Sequence, residues 1–141
     1  DDKVITSIKS IAEQDNGKWI VEGGGFPIMN LPLIAGAPTI NCTNTYPDLE
    51  RWKMLDPNGE YEEIYNRYAH IQINLTGTED TTFNLLYPDS FQVILNVDDM
   101  EKLSVKYILS QNNLESLSNE EVDIVQIADE EGWKIYNINY N

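Results

Sequence analysis

The two side chains that most enzymes use for nucleophilic and acid–base chemistry occur once each, as His70 and Cys42. A Ser–His–Asp or Cys–His site needs its histidine beside a nucleophile, and a structural zinc site needs four Cys or His ligands. His70 opens a predicted strand in which it alternates with Gln72 and Asn74, so we expect it on a polar face. Cys42 ends an apolar run, where cysteine is usually a small buried residue. The sequence predicts no catalytic residue and no metal site.

Acidic residues are plentiful, but they fall in predicted caps and turns. A glycosidase needs two carboxylates that face each other across a cleft, which adjacent pairs such as 98–99 and 120–121 do not supply. The segment 56–63 alternates oxygen-bearing side chains as a calcium loop does. Its glycine, Gly59, is the fourth residue of that segment, whereas an EF-hand places the sharp-turn glycine sixth. We therefore interpret these acids as solvated surface and helix caps.

A run of three glycines, Gly23–Gly25, follows a predicted strand as phosphate-binding loops do. It lacks the GxGxxG spacing and the Lys-Ser/Thr pair of a P-loop. Pro27 and Pro32 interrupt the helix whose N-terminus would hold the phosphate. The run therefore predicts a structural turn, and no cofactor is expected.

Aromatic and charged residues at Tyr46, Asp48, Arg51 and Trp52 form the one set that suggests a ligand. Tyrosines continue through residues 61–68 at helical spacing. The interpretation that we favour is that Trp52 and the tyrosines form the helix–sheet core. The alternative is a binding face, in which Trp52 stacks on a sugar ring and the two charged residues hydrogen-bond its hydroxyls.

Length and charge limit the class of protein. The chain has 141 residues, which suits one domain of residues 1–141, and a formal net charge of -15. This charge disfavours binding to nucleic acid or to an anionic membrane. No apolar run reaches the roughly 20 residues of a membrane span, and the charged start, DDKV, is unlike a signal peptide. We expect a soluble domain excised from a larger protein.

The hydrophobic pattern mixes helices and strands without strict alternation, which predicts an α/β (α+β) domain, a single compact mixed sheet with helices packed on it. The run at 105–110 is almost continuously apolar, as a central strand is. Asp98 with Glu101 predicts a capped helix. We expect helices over 4–12, from Pro47 to 55, over 61–68 and from 98, and strands at 19–22, 37–42, 70–76, 81–87, 90–97, 105–110, 122–128 and 133–140.

Strand patterns over most of the chain, from Trp19 to Tyr136, resemble a known group. It is the C-terminal extracytoplasmic domain of large bacterial multi-pass membrane proteins, the YfhO-like and GT-C-type glycosyltransferase group. The stretches that carry the resemblance are 19–52, 61–75 and the tail from 100. The matching residues are Gly36, Pro38, Thr39, Ile40, Asn41 and Tyr46, then Leu103, Val105, Lys106, Tyr107, Ile108, Leu109, Ser110, Ile135 and Tyr136.

The resemblance implies a place on the extracytoplasmic side of a bacterial cell membrane, in a protein that modifies cell-envelope polysaccharide. The catalytic acids of that group lie in loops of the membrane part, so it implies a non-catalytic domain. Its partners would be a glycan or its own transmembrane portion, and no nucleic acid. Two alternatives stay open, a free-standing extracellular binding or interaction module and a small hydrolase. The sequence does not indicate an oligomeric state.

Overall fold

The computed structural model describes residues 2–43 and 46–141, in which strands and short helices alternate irregularly. The α-helices of this part are α1 (Asp2–Gln14), α2 (Leu31–Ile34), α3 (Leu49–Leu55) and α4 (Glu62–Tyr65). The strands are β1 (Lys18–Glu22), β2 (His70–Thr76), β3 (Thr82–Tyr87), β4 (Ser90–Asn96), β5 (Val105–Ser110), β6 (Val122–Glu130) and β7 (Trp133–Tyr140). Segments of 3-10 helix lie at Ile28–Asn30, Val97–Leu103 and Glu115–Leu117.

The strands form one mixed sheet in the order β3-β4-β2-β1-β5-β7-β6. The four middle strands, β4, β2, β1 and β5, are parallel, and β3 and β7 pair antiparallel at either side of them. β6 forms an antiparallel hairpin with β7. The predicted mixed sheet with packed helices is therefore confirmed, and so is the interior position of 105–110.

Two hydrophobic clusters sandwich the sheet. On the inner face, α3 and α4 bury aromatic side chains against β2, β3 and β4, including Trp52, Tyr65, Phe83 and Phe91. On the outer face, α1 and the 28–37 segment pack on β1, β5 and β7. Within the described residues, this outer cluster contains no side chain of β2, β3 or β4. The helices thus cover only half of the outer face.

The predicted strand at 37–42 is not a strand, which corrects that expectation. A single bridge joins Thr39 to Trp19, and beyond it the side chain of Asn41 takes over the pairing. Asn41 is fully buried, its Oδ1 accepts from the Val21 amide at 2.9 Å, and its Nδ2 donates to the Val21 carbonyl at 2.8 Å. The side-chain amide of Asn41 takes the place of a backbone peptide group. The N–H and C=O of Val21 in β1 therefore stay hydrogen-bonded where the chain leaves the sheet.

Helix boundaries also differ from the prediction. Helix α3 begins after Asp48, which is its N-cap, so Pro47 precedes the helix and is not its first residue. The segment after β4 is a 3-10 helix capped by Asn96, whose side chain accepts from the Asp98 amide. Asp98 therefore lies inside the first turn and does not cap it. Asn and Asp both serve as N-cap residues, which is why the sequence pattern placed the cap at Asp98 and not at Asn96.

Candidate functional site

The four residues predicted as a binding face do not all reach the surface. Trp52 is 0% exposed, and its ring packs edge-on against Phe83 and Phe91 with centroids 5.9 Å away in both cases. A ring enclosed in this way cannot stack on a sugar, so the proposed stacking role of Trp52 is wrong. The favoured interpretation of Trp52 as core is confirmed.

Asp48 and Arg51 organise the start of α3. Asp48 Oδ1 accepts from the Arg51 amide at 3.1 Å, and Asp48 Oδ2 lies 3.4 Å from Arg51 Nη2. Arg51 Nη1 donates to the Ile40 carbonyl at 3.2 Å, which ties α3 to the segment that leaves β1. Both side chains remain partly exposed, but their stronger contacts are internal. They support the surface around Tyr46 and do not form an independent polar site.

Tyr46 is the predicted residue that the structure presents openly, with 77% of its surface exposed. It meets a second exposed tyrosine, Tyr68 (64%), edge to face, with ring centroids 6.0 Å apart. These two rings, with Pro47, Asn66 and Arg67, line an open groove of about 380 Å³. We call it the tyrosine groove.

Sequence reasoning missed Tyr68 because it extended the helical spacing of residues 61–65 to position 68. Helix α4 ends at Tyr65, with Asn66 as its C-cap, and the chain then turns into β2. Tyr68 therefore lies in the connection between α4 and β2, outside the helix, and its side chain is exposed. A break in periodicity just before a strand is the signal that would have indicated its exposure.

Arg67 holds the groove in place through three backbone carbonyls. Its Nε donates to Ile64 at 2.6 Å, and its Nη2 donates to Glu63 at 2.8 Å, both in α4. Its Nη1 donates to Pro88 at 2.9 Å, in the turn between β3 and β4. A planar guanidinium that bridges two elements fixes their spacing, so Arg67 anchors the wall of the groove that carries Asn66 and Tyr68.

His70 lies next to this groove in a structural setting. Its Nδ1 is 2.9 Å from the Thr43 hydroxyl, and its ring lies 4.5 Å from the ring of Phe26. Phe26 is 60% exposed, so this pair continues the aromatic surface beyond the tyrosines. Thr43 and Tyr46 lie on one segment and contact His70 and Tyr68 on the other, which makes the groove and the start of β2 one continuous surface.

Asp56, the first residue of the calcium-like segment, is buried, and its carboxylate accepts three hydrogen bonds. It accepts from the amides of Glu60 at 3.0 Å and Tyr61 at 2.9 Å, and from the Tyr65 hydroxyl at 3.0 Å. Burial, and then the hydrogen bond to this carboxylate, raise the pKa of Tyr65 to about 12. Asp56 thus links α3 to α4. Across residues 2–43 and 46–141 no group of three His, Cys, Asp or Glu side chains is placed to hold a metal ion.

A second acid, Glu22 at the end of β1, hydrogen-bonds residues at the carboxyl ends of β2 and β5. Its Oε1 accepts from Ser110 Oγ at 2.7 Å and Asn112 Nδ2 at 2.9 Å, and its Oε2 accepts from the Leu75 amide at 3.1 Å. The cavity beside it measures only about 70 Å³. Gly23 follows with φ 77, so the glycine run forms the turn that the sequence predicted.

The fold and the tyrosine groove define a small α+β domain with an open aromatic groove on its surface. The chain belongs to the family described as domain of unknown function DUF7654, whose profile matches residues 1–141. No curated protein and no solved structure shows significant similarity to the chain. None of the helices in the described part of the chain is long and apolar enough to cross a membrane.

Proposed function

We propose that this domain is a non-catalytic, glycan-binding part of a membrane glycosyltransferase-like protein, on the extracytoplasmic side of a bacterial membrane. The parent protein would modify cell-envelope polysaccharide, as the sequence resemblance implies. The observation that carries the binding part is the tyrosine groove, in which Tyr46 and Tyr68 meet at 6.0 Å with both rings exposed.

The chemistry of the groove suits a sugar. The C–H faces of a pyranose ring stack on aromatic faces, and large aromatic rings lose little conformational freedom when they bind. Asn66 adds an amide whose donor and acceptor match a pair of hydroxyls. Because the hydrogen bonds of Arg67 anchor the wall that carries Asn66 and Tyr68, that wall needs little ordering on binding.

The engagement of the titratable side chains supports a non-catalytic role. The buried carboxylates of Glu22 and Asp56 each accept three hydrogen bonds within the fold. His70 contacts a threonine hydroxyl and an aromatic ring, and neither of these is an acid or a base at neutral pH. The contacts of these three side chains therefore join elements of the fold.

Calorimetric titration of the purified 141-residue chain with neutral oligosaccharides tests the binding part. Cello-, chito- and manno-oligosaccharides are suitable probes. We expect Tyr46→Ala and Tyr68→Ala each to raise the Kd about fivefold to tenfold, the loss of one aromatic contact. The matched control is Ile34→Ala, an equally exposed apolar residue on α2, which should leave the Kd unchanged. Absence of binding by the whole panel would contradict the proposal.

Two further measurements test the context. Incubation of the domain with lipid-linked and nucleotide sugars should give no transfer or hydrolysis, and measurable turnover would contradict the non-catalytic role. In intact cells that express the parent protein with an epitope tag on this domain, external protease should remove the tag. Protection of the tag until the membrane is permeabilised would place the domain on the other side.

A further inference from the structure

The uncovered half of the outer sheet face carries mainly polar side chains, and none of them is Asp, Glu, Lys or Arg. The outward positions of β2 are His70, Gln72, Asn74 and Thr76, and the register pairs them in order with Ser90, Gln92, Ile94 and Asn96 of β4. On the other side of β4, the residues across from Ile94, Gln92 and Ser90 are Thr82, Asn84 and Tyr87 of β3. We call these three strands' outward positions the amide face.

The amide face is organised in rows that run across the strands. One row joins Asn84, Gln92 and Gln72, and the neighbouring row joins Tyr87, Ser90 and His70. Two residues along a strand separate the rows by about 7 Å, and three strands make each row about 10 Å long. A row with an aromatic ring at each end therefore lies beside an amide row, and Phe26 contacts the His70 ring at the end of the former.

Hydrogen bonds hold the amides in fixed orientations. Asn74 Oδ1 accepts from Gln92 Nε2 at 2.8 Å and from Gln72 Nε2 at 3.3 Å, while Gln92 Oε1 accepts from Asn84 Nδ2 at 3.4 Å. In the described part of the chain, Gln72 Oε1, Asn84 Oδ1 and Asn74 Nδ2 have no hydrogen-bond partner. These atoms are not among the buried unpaired ones, so their donors and acceptors are available to the hydroxyls of a sugar chain.

Charge indicates what kind of chain fits. None of the outward positions of the amide face is Asp, Glu, Lys or Arg, although charged residues make up 23% of the sequence. Ordinary exposed strands carry charges for solubility, so a face of amides and aromatics departs from that rule. The net charge of -15 disfavours a polyanion at this face. The partner that matches is a linear, uncharged, hydroxyl-rich polymer.

We infer that the amide face is an extended subsite that binds several consecutive sugars of a neutral glycan chain, continuing from the tyrosine groove. This inference rests on the proposed function. The two surfaces adjoin, because Tyr68 lies only two residues before His70, and these two residues contact Tyr46 and Thr43 respectively. The groove holds one end of the chain, and the amide rows hold the units that follow.

The test compares oligosaccharides of increasing length, disaccharide to hexasaccharide, by calorimetry on the wild-type chain and on the double variant Gln72→Ala/Gln92→Ala. We expect the wild-type Kd to fall about tenfold or more with length, and the double variant to lose this gain, since each removed amide forfeits about fivefold. The double variant should bind a disaccharide as the wild type does. The control, Gln126→Ala, removes an exposed glutamine from β6 at the opposite edge of the sheet.

Each outcome has a distinct meaning. Disaccharide binding that depends on Tyr46 but does not tighten with length would overturn the amide face and leave the proposed function standing. Binding by no oligosaccharide would overturn both. A hexasaccharide of uronic acids should bind at least tenfold more weakly than a neutral one, and equal binding would contradict the charge argument. In a labelled sample, the side-chain NH₂ signals of Gln72, Asn74 and Gln92 should shift with the hexasaccharide, whereas that of Gln126 should not.

Discussion

The two halves of the outer sheet face share one sheet and have opposite surfaces. On β1, β5 and β7 most outward residues are apolar, such as Trp19, Tyr107 and Ile135, and α1 and the 28–37 segment bury them. On β2, β4 and β3 the outward residues are mainly amides and hydroxyl-bearing side chains that stay half-buried or exposed. The covered half therefore adds to the core, whereas the open half is the surface that we propose as a binding face.

A carboxylate placed on each half should distinguish the two halves most strongly. Tyr107 stacks on Trp19 at 5.0 Å and donates to Asp15 at 2.6 Å, so Tyr107→Asp buries an unpaired charge beside another acid. We expect no folded protein, since the cost of several kcal/mol approaches a domain's whole stability of about 5–15 kcal/mol. Gln72→Asp should fold and melt cooperatively. Circular dichroism melts decide, and a folded Tyr107→Asp variant would mean that the covered half is not the stabilising one.

Truncation of a side chain in α1, the helix that covers this half, should have the next largest effect. Ile8 is fully buried where α1 meets the sheet, and Ile8→Ala should lower the free energy of unfolding by about 2–4 kcal/mol. Phe26→Ala removes a larger ring from the open half, where 60% of it is exposed. That change should cost well under the Ile8 value. Urea denaturation of both variants measures the difference, and equal losses would show that Phe26 is part of the core.

Alkaline pH should act through the covered half as well. Burial, and then the hydrogen bond to Asp15, raise the pKa of Tyr107 from 10.0 to about 12. The unfolded chain therefore loses this proton first, so the stabilisation is complete below about pH 10 and is lost as pH rises through about 12. Urea midpoints across this range should fall less steeply for Tyr107→Phe than for wild type. The control, Tyr87→Phe on the open half, should follow the wild-type curve.

The smallest expected effect comes from a substitution on the open half. Gln92→Ala removes the centre of the amide row, and we expect a change within about 0.5 kcal/mol, as for ordinary surface substitutions. Thermal and urea unfolding of this variant provide the measurement. A loss above about 1.5 kcal/mol would instead mean that the network of Asn74, Gln72 and Gln92 serves stability, which would weaken the case for a binding face.

Much of this architecture follows from local patterns. The apolar run 105–110 indicated a strand buried on both faces, and the alternation in 70–76 indicated one polar face. The hairpin of β6 and β7 was predicted from its turn, where Glu131 and Gly132 both adopt left-handed φ values. These predictions succeeded because side-chain period and turn chemistry depend on neighbours in sequence.

The proposed binding surface could be predicted only in part. The sequence indicated Tyr46 but paired it with Trp52, which shares the apolar stripe of Leu49 and Leu55 and is buried against the sheet. It assigned Tyr68 to the helix of residues 61–68, because the helical spacing was extended past Tyr65, where α4 ends. Helix ends depend on where the chain must turn to reach its next partner, and that is a tertiary constraint.

By itself the sequence determined the composition, the charge of -15, the type of most elements and the polar face of β2. Only the tertiary structure decided that β4 inserts between β2 and β3, which aligns Asn84, Gln92 and Gln72 in one row. It also decided that Tyr68 meets Tyr46 across more than twenty residues of chain. The physical reason is that strand order and register arise from burying the whole inner face at once, whereas a local pattern records only which side of its own strand a residue occupies.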